Sequence, residues 1–314
     1  MMPYWPRKAL SALLTLWLSS IVVFALLRLT PGDPAAAIAG PDATAEQVAA
    51  IRDQLLLDDP LPSQYLHWLG GLLTGDPGIS YQYDRPITDL LAESVGSTVQ
   101  LALAGILMLP VVGLLTGLAL ASRRFGKAAD AFATAALSLP VYVSAVILVF
   151  LFAVQLRVLP AGGELSFLAA PDLSVQFLLL PGIALALPAG AVLGRLLATE
   201  LRRTRQEEFV LTAVAKGVPP GRISRLHVLP GSLGPFVVEF GIGIGELLGG
   251  AVIAEELFAR NGLGKLMLDS VQNRDYPMAQ TLLMLAIAVA VLAQLGTEVV
   301  LTRLDPRIKL GVTA

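Results

Sequence analysis

Six segments of the chain are strongly apolar and are separated by polar stretches of very different length. They cover residues 9–29, 98–121, 131–156, 177–198, 235–257 and 279–301. A helix needs about 20 mostly apolar residues to cross the hydrocarbon core of a bilayer. Each segment therefore predicts one membrane-spanning helix, and the whole pattern predicts an all-α membrane protein with six transmembrane helices. The fifth segment is the least uniform, because it contains or ends on Glu239, Glu246, Glu255 and Glu256.

Composition supports a membrane protein and excludes several kinds of chemistry. Of 314 residues, 55% are hydrophobic and 15% charged, and the mean hydropathy is +0.72. The chain has no Cys and only two His, His67 and His227, so it offers no thiolate nucleophile and no Cys-ligated metal. A net charge of −2 gives no electrostatic basis for non-specific nucleic-acid binding.

Lys and Arg predict the orientation. With the N-terminus in the cytoplasm, the cytoplasmic pieces hold fifteen of these residues and the opposite side seven, which predicts N-in and C-in. The first apolar segment follows Arg7 and Lys8 as in a signal peptide, but its core of about 21 residues exceeds the usual 7–15. We expect an uncleaved first span, ending at residue 29.

The remaining domains follow from this orientation. Residues 30–97 form an external segment, 98–301 a five-helix core that includes the cytoplasmic loop 199–234, and 302–314 a cytoplasmic tail. The external segment is predicted to be structured, because Thr44 and Gln47 form a capping box before a helix that ends by Pro60. A second helix is expected at 64–73, and an amphipathic one at 264–271.

Aromatic and proline residues leave alternatives open. The aromatic residues of the external segment favour anchoring at the membrane interface over direct ligand contact: Tyr65, Trp68, Tyr81 and Tyr83. Pro140, Pro181 and Pro188 are expected to bend or break spans three and four. Such breaks fit either a translocation path or packing alone.

The fifth span carries a glycine ridge and a deep carboxylate. Gly241, Gly245 and Gly249 recur at four-residue spacing, which predicts close packing against another helix. Glu246 lies beside the ridge, and Glu239 lies nearer the cytoplasm. A carboxylate in a span is either bonded between helices or lines the path of a polar solute, and both interpretations remain open for Glu246. No catalytic motif is visible in the chain.

The stretch "EEFVLTAVAKGVPPGRISRLHVLP", residues 207–230, is a short cytoplasmic helix stopped by Gly217 and restarted after Pro219-Pro220-Gly221 as far as Pro230. Such a fragment has no core of its own. We therefore expect it to complete its packing against another protein.

Within it, T-A-x-A-K-G at 212–217 is followed after nine residues by His227-Val-Leu-Pro230. This spacing resembles the EAA loop of ABC importer permeases, in the variant of the dipeptide, oligopeptide and nickel permease family. The general pattern has Glu where this chain has Leu211, but that variant commonly lacks it too. Further motifs resemble the family's B-type subunit in order and spacing: "LRLTPGDP", "DDPLPSQYLHWL", "TGDPGIS", "RPITDLL", "EELFARNGLG", "NRDYP" and "LDPRIK". Asn261 is a departure from the family pattern, which commonly has Pro before Gly-Leu-Gly.

The resemblance implies one permease subunit in a bacterial inner membrane, working with a homologous permease, two ATPase subunits that hold ATP and Mg²⁺, and an extracytoplasmic solute-binding protein. It implies no catalytic residue, metal site or cofactor in this chain. The residues that it assigns to ATPase coupling are Val210, Thr212, Ala213, Ala215, Lys216, Gly217, His227 and Pro230. We expect Ala213 and Ala215 to fit a groove of the ATPase.

The substrate is the least determined feature. "GELLGG" at 245–250 resembles the nickel and metal-chelate permeases more than the peptide ones, so nickel or a chelate is the first expectation and a di- or oligopeptide the alternative. Two other classes compete with an ABC permease. A secondary transporter would leave the EAA-like loop without a function, and a membrane enzyme would lack a convergent set of reactive groups.

Overall fold

The computed structural model describes residues 4–29, 34–39, 43–54, 57–165, 167 and 170–304. The chain forms two compact units, residues 1–96 with 262–314 and residues 97–261. Apart from an isolated bridge between Ile79 and Pro86, the regular structure of the described residues is helical. The helices are α1 (Tyr4–Leu29), α2 (Pro34–Ala39), α3 (Ala45–Gln54), α4 (Leu61–Thr74), α5 (Ile87–Leu120), α6 (Gly126–Ser138), α7 (Val141–Leu148), α8 (Pro171–Thr204), α9 (Glu208–Ala215), α10 (Pro220–Ile223), α11 (Leu229–Leu257), α12 (Leu263–Gln272) and α13 (Tyr276–Leu304).

Within the described residues, five helical segments are long and apolar enough to cross a membrane: Pro6–Leu26, Ile87–Leu120, Pro171–Thr204, Pro220–Leu247 and Tyr276–Gly296. The third predicted span, 131–156, is not one helix. It consists of α6, α7 and a π-helical stretch, Val149–Gln155, with a break at Leu139 and Pro140. Proline lacks an N–H and drives the residue before it into an extended conformation, and Leu139 has ψ 133°. Six spans therefore remain a prediction.

The other expected proline breaks are absent. Pro181 and Pro188 both lie inside the continuous helix α8, and Pro110 and Pro235 lie inside α5 and α11. Neighbouring helices and small local adjustments can satisfy backbone carbonyls freed by proline in a membrane helix. The helix is therefore not broken at Pro181 or Pro188, and the alternative expectation of a bend stays a prediction.

Helix α8 is the centre of the unit 97–261. Its middle is buried on most sides, between Leu180 and Leu201, and it packs against α6, α7 and α11. Gly190 and Gly194 lie against α5, and Gly113 and Gly117 of α5 lie against α8. A Cβ added at Gly190 would lie 2.6 Å from Cγ1 of Val112, and one at Gly194 would lie 2.7 Å from Cβ of Thr116. These glycines allow the two helices to approach closely.

The glycine ridge predicted on the fifth span faces away from the other described residues. A Cβ added at Gly241, Gly245 or Gly249 would meet no atom of the described chain within 4 Å. On the same helix, a Cβ at Gly250 would lie 2.9 Å from the Leu185 side chain. The predicted ridge thus has no partner helix in the part of this chain that the structure describes.

The other unit contains helices α3 and α4 where the sequence predicted helices within residues 30–97, while their external location stays a prediction. The capping box of α3 is present, because Thr44 N–H donates to Gln47 Oε1 at 2.8 Å and Gln47 N–H donates to Thr44 Oγ1 at 3.3 Å. Helix α4 ends at Gly75, which has φ 82°. Tyr65 and Trp68 of α4 pack against Phe24 of α1, with ring centroids 5.5 and 5.9 Å from the Phe24 ring. The interface-anchoring interpretation missed this internal contact.

Two of the family-like motifs meet at Asp275. Its buried carboxylate accepts hydrogen bonds from the Ser80 hydroxyl, from Gln82 N–H at 3.2 Å and from Met278 N–H at 3.3 Å. Asp275 therefore caps the start of α13 and fastens "TGDPGIS" to "NRDYP". The predicted tail, 302–314, and the motif at 304–309 lie outside the described residues from residue 305 onward.

The two kinds of glycine differ in what a methyl group would do. We expect Gly194→Ala to destabilise the isolated chain by about 1–3 kcal/mol, because the methyl group overpacks the contact between α5 and α8. The control Gly245→Ala adds the same group to open space. Thermal unfolding of the purified chain in detergent measures the difference, and equal melting temperatures for the two variants would contradict the packing described above.

Candidate functional site

Helix α9 and its end are fixed by local hydrogen bonds. Gly217 has φ +74°, its N–H donates to the Val214 carbonyl at 2.9 Å, and Val218 N–H donates to the Ala213 carbonyl at 3.1 Å. These two bonds form a Schellman motif, in which a glycine adopts the left-handed conformation without the cost of a Cβ. The predicted stop at Gly217 is therefore confirmed in structural detail.

The chain becomes helical again at Pro220. It does not stop at Pro230, although the sequence predicted that the second helix would end there. Helix α10 passes into a π-helical stretch, Ser224–Val228, and then into α11, so Pro230 lies in the first turn of α11. Because α11 continues directly from the π-helical stretch, Pro230 lies within a continuous helical stretch, where its missing N–H removes one backbone hydrogen bond. The Ser232 hydroxyl oxygen is in hydrogen-bond contact with the Val228 carbonyl at 2.8 Å and with the Thr204 hydroxyl at 3.0 Å, which holds α11 against the end of α8.

Contrary to expectation, this segment shares the core of its unit. Val210 and Ala213 of α9, Ile223 of α10 and Val228 are all buried in the cluster that also contains Leu201. Ala213 thus packs against the chain's own helices and is not open to a partner's groove. Thr212, Ala215, Lys216 and Gly217 are exposed, as are His227 and Pro230.

The opposite face of α9 is open and apolar. Phe209, Leu211 and Val214 are 49%, 60% and 60% exposed, and Leu226 of the π-helical stretch is 58% exposed. The sequence analysis assigned none of these four residues to the site. The sequence did indicate an exposed apolar face, because α9 has more apolar residues than one buried face of an eight-residue helix can hold.

The two expected path residues lie apart from this face. Glu246 is exposed beside the open glycine ridge of α11, and Glu239 is half-buried. Neither carboxylate makes a hydrogen bond or an ion pair with another described residue. No three His, Cys, Asp or Glu side chains converge into a metal-holding group in the described ranges.

A buried polar cluster at the end of α11 was missed by the sequence analysis. Glu255 is 0% exposed and accepts a hydrogen bond from the Thr98 hydroxyl at 2.6 Å. Arg260 is 1% exposed, donates to Gln100 Oε1 at 3.3 Å and lies 3.7 Å from a carboxylate oxygen of Glu164. Burial lowers the pKa of Arg260 from its ordinary value, and the charges of Glu164 and Glu255 oppose that effect.

Several long apolar helices, together with a short helix whose apolar side is exposed, define a multi-pass membrane protein. A family model described as "Binding-protein-dependent transport system inner membrane component" matches residues 110–310, and its N-terminal counterpart matches residues 1–102. The chain belongs to this family of ABC importer inner-membrane permeases. It is a multi-pass protein of the inner membrane.

Two relatives match nearly the whole chain. A probable peptide ABC transporter permease of Sinorhizobium fredii is 35% identical over 306 residues, which cover 96% of this chain and 98% of the relative. A glutathione transport system permease of Escherichia coli (strain K12) is 31% identical over 312 residues, covering 98% and 99% of the two chains. Both are named as permease proteins of transporters.

Gly217 offers a test of the conformation that ends α9. A Cβ at Gly217 would meet no described atom within 4 Å, so any cost of substitution comes from its φ of +74°. We expect Gly217→Asp to leave the chain in the membrane but to disturb the end of α9, and so to reduce stimulation of ATPase activity by loaded binding protein. Gly221→Asp is the control, because Gly221 also faces open space but lies in α10 without a positive φ. Normal stimulation in Gly217→Asp would contradict the assignment of α9 to coupling.

Proposed function

We propose that this chain is one of two homologous permease subunits of an ATP-driven importer that carries di- or oligopeptides. A solute-binding protein delivers the peptide, and two ATPase subunits bind ATP and Mg²⁺. In the orientation predicted from Lys and Arg, α9 lies on the cytoplasmic side, where those ATPases would bind it. The chain itself supplies the path and the coupling surface and makes no covalent bond.

The observation that carries this proposal is the two-sided character of α9. One side, with Val210 and Ala213, is anchored in the core, and the other side presents Phe209, Leu211 and Val214 to a partner. An anchored helix with an open apolar face can transmit a push, because it cannot move without moving the core to which it is attached. A secondary transporter has no need of such a surface.

The names of the two relatives support peptides over nickel. One relative is described as a peptide permease and the other as a glutathione permease, and glutathione is itself a small peptide. The expectation of nickel rested on the short motif around Glu246. We therefore prefer the peptide alternative, and we assign Glu246 and Glu239 to the border of the path, where they would face a polar solute.

The open glycine ridge supports a second permease subunit. Gly241, Gly245 and Gly249 have no partner among the described residues, and Val237 and Ile242 of the same helix are also exposed. Small residues in a membrane helix allow a close approach of a second helix. We assign this ridge to the contact with the homologous permease, which places Glu246 beside the interface between the two subunits.

Transport then follows from two states of the complex. ATP binding closes the ATPase pair and moves α9, and the helical stretch from Pro220 to Leu257 carries that motion into the membrane. The spans alternate between openings on the two sides, so ATP acts as a ligand that favours one state.

The open face of α9 can be separated from its buried face by substitution. Burying a Leu or Val side chain is worth about 1.5–3 kcal/mol, so we expect Leu211→Gln and Val214→Gln each to weaken ATPase binding by roughly 10- to 100-fold. Val210→Ala is the control, since Val210 is buried in the chain's own core and its loss should lower the melting temperature instead. Titration of ATPase subunits onto the detergent-solubilised permease pair measures binding. Unchanged affinity in both Gln variants would rule out this face as the docking surface.

The substrate and the role of Glu246 can be tested together. In proteoliposomes that hold the full complex, we expect uptake of a radiolabelled dipeptide that requires both ATP and the binding protein. Glu246→Gln should change this uptake only modestly, because a peptide does not depend on one carboxylate to offset a cationic charge. Uptake of radiolabelled nickel that falls sharply in Glu246→Gln would instead support the metal reading, and uptake without ATP would support a secondary transporter.

A further inference from the structure

The buried polar cluster joins three separate segments of the unit 97–261. Ser97, Thr98 and Gln100 come from α5, Glu164 follows the turn at Gly162–Gly163, and Glu255 and Arg260 lie at the end of α11. Glu164 accepts a hydrogen bond from the Ser97 hydroxyl at 2.5 Å and another from Asn261 Nδ2 at 3.1 Å. Glu164 therefore lies 3.7 Å from the Arg260 guanidinium where these three segments meet, and the charge of Glu255 also acts on that guanidinium.

Stability alone does not explain this cluster. Removing a charge from water costs several kcal/mol, and a buried ion pair recovers that cost only when its geometry is excellent and its remaining polar atoms are bonded. Here the distance between Arg260 and Glu164 is 3.7 Å, and Nε of Arg260 has no hydrogen-bond acceptor among the described residues. The pairing is thus incomplete, and a modest free energy can open it.

The backbone around the cluster depends on the position of α11. Gly163 N–H donates to the Phe258 carbonyl at 2.7 Å, and a Cβ added at Gly162 would lie 2.8 Å from the same carbonyl oxygen. The turn that carries Glu164 therefore rests directly on the end of α11. If α11 moves, both the turn and the Arg260 contacts must rearrange.

The same helix connects this cluster to the coupling segment. Helix α10, the π-helical stretch and α11 follow one another without a break from Pro220 to Leu257, and α9 lies just before Pro220. One end of this helical stretch is next to the proposed ATPase contact, and the other end carries Glu255 and precedes Arg260. A displacement at one end is therefore felt at the other.

We propose that the cluster of Arg260, Glu255 and Glu164 is a latch that is closed in one transport state and open in the other. This inference rests on the transport function proposed above. Arg260 is then a positioning residue, which touches no substrate but sets the free-energy difference between the two states through the end of α11. An incompletely paired buried charge suits this role, because small changes can switch a packed element between two arrangements.

The test compares Arg260→Gln with the double variant Arg260→Gln/Glu255→Gln in the full complex. The single variant removes the Arg260 charge that acts on the fully buried Glu255, so it should lose both stability and coupling. The double variant removes that buried charge and should regain most of the melting temperature, but it cannot rebuild the ionic latch. We expect the ratio of binding-protein-stimulated to basal ATPase activity to fall by about fivefold or more in both variants, the lower end of common coupling strengths.

Arg85→Gln is the matched control. Arg85 forms an exposed ion pair with Glu93 at 2.6 Å, so its substitution should leave the ratio of stimulated to basal ATPase activity unchanged.

Two outcomes would overturn the proposal. One is a ratio that recovers together with the melting temperature in the double variant, which would show a purely structural cluster. The other is a double variant that assembles no better than Arg260→Gln. If Arg260→Gln does not assemble, the ratio in the double variant decides. Absence of ATP-dependent dipeptide uptake in the unmodified complex would refute the proposed function instead, whereas normal uptake with an unchanged ratio in the variants refutes only the latch.

Discussion

The close approach of α5 and α8 is the contact on which the rest of the unit 97–261 depends. Gly113 and Gly117 on one helix meet Gly190 and Gly194 on the other, and side chains of Val112, Thr116, Leu193 and Leu197 occupy the space that Cβ atoms would take. Between lipid-exposed helices the hydrophobic effect supplies little attraction, so van der Waals contact at short range must hold them together. With α8 fixed in this way, α11 can pack along it and α9 can be placed at their shared end.

The position of α9 follows from that arrangement. The chain leaves α8 at Thr204 and enters α11 soon after Val228, and Ser232 bonds to both of these residues. The connection is therefore a closed structural unit, in which Val210 and Ala213 face the core and Leu211 and Val214 face outward. Because the buried side fixes α9, its open side is presented in a defined orientation.

The sequence predicted the helical class, most of the spans, the helices within residues 30–97 and the end of α9 at Gly217. These features depend on local signals such as apolar length, capping residues and a glycine stop. It missed the contact of α5 with α8, although "GLLTG" and "GAVLG" carry the same spacing as the ridge that it identified. Spacing shows that a helix can approach another closely, but it does not show which helix is there. The chain breaks at Pro140, whereas α8 continues through Pro181. The sequence could not distinguish these two prolines, because neighbouring helices decide whether the carbonyl that loses its N–H donor is satisfied.

The glutamates of the fifth span show what hydropathy cannot distinguish. Glu255 is enclosed by its own unit and bonded to Thr98, whereas Glu246 is exposed beside Gly245 and Gly249 without a polar partner among the described residues. A carboxylate facing hydrocarbon would cost several kcal/mol, so the face with Glu246 requires either water or another protein. The apolar face of α9 has the opposite requirement, because leaving its apolar side chains in water costs free energy. These two open surfaces have opposite chemistry, so one kind of neighbour cannot satisfy both, and the proposed function accordingly assigns the homologous permease to α11 and the ATPase to α9.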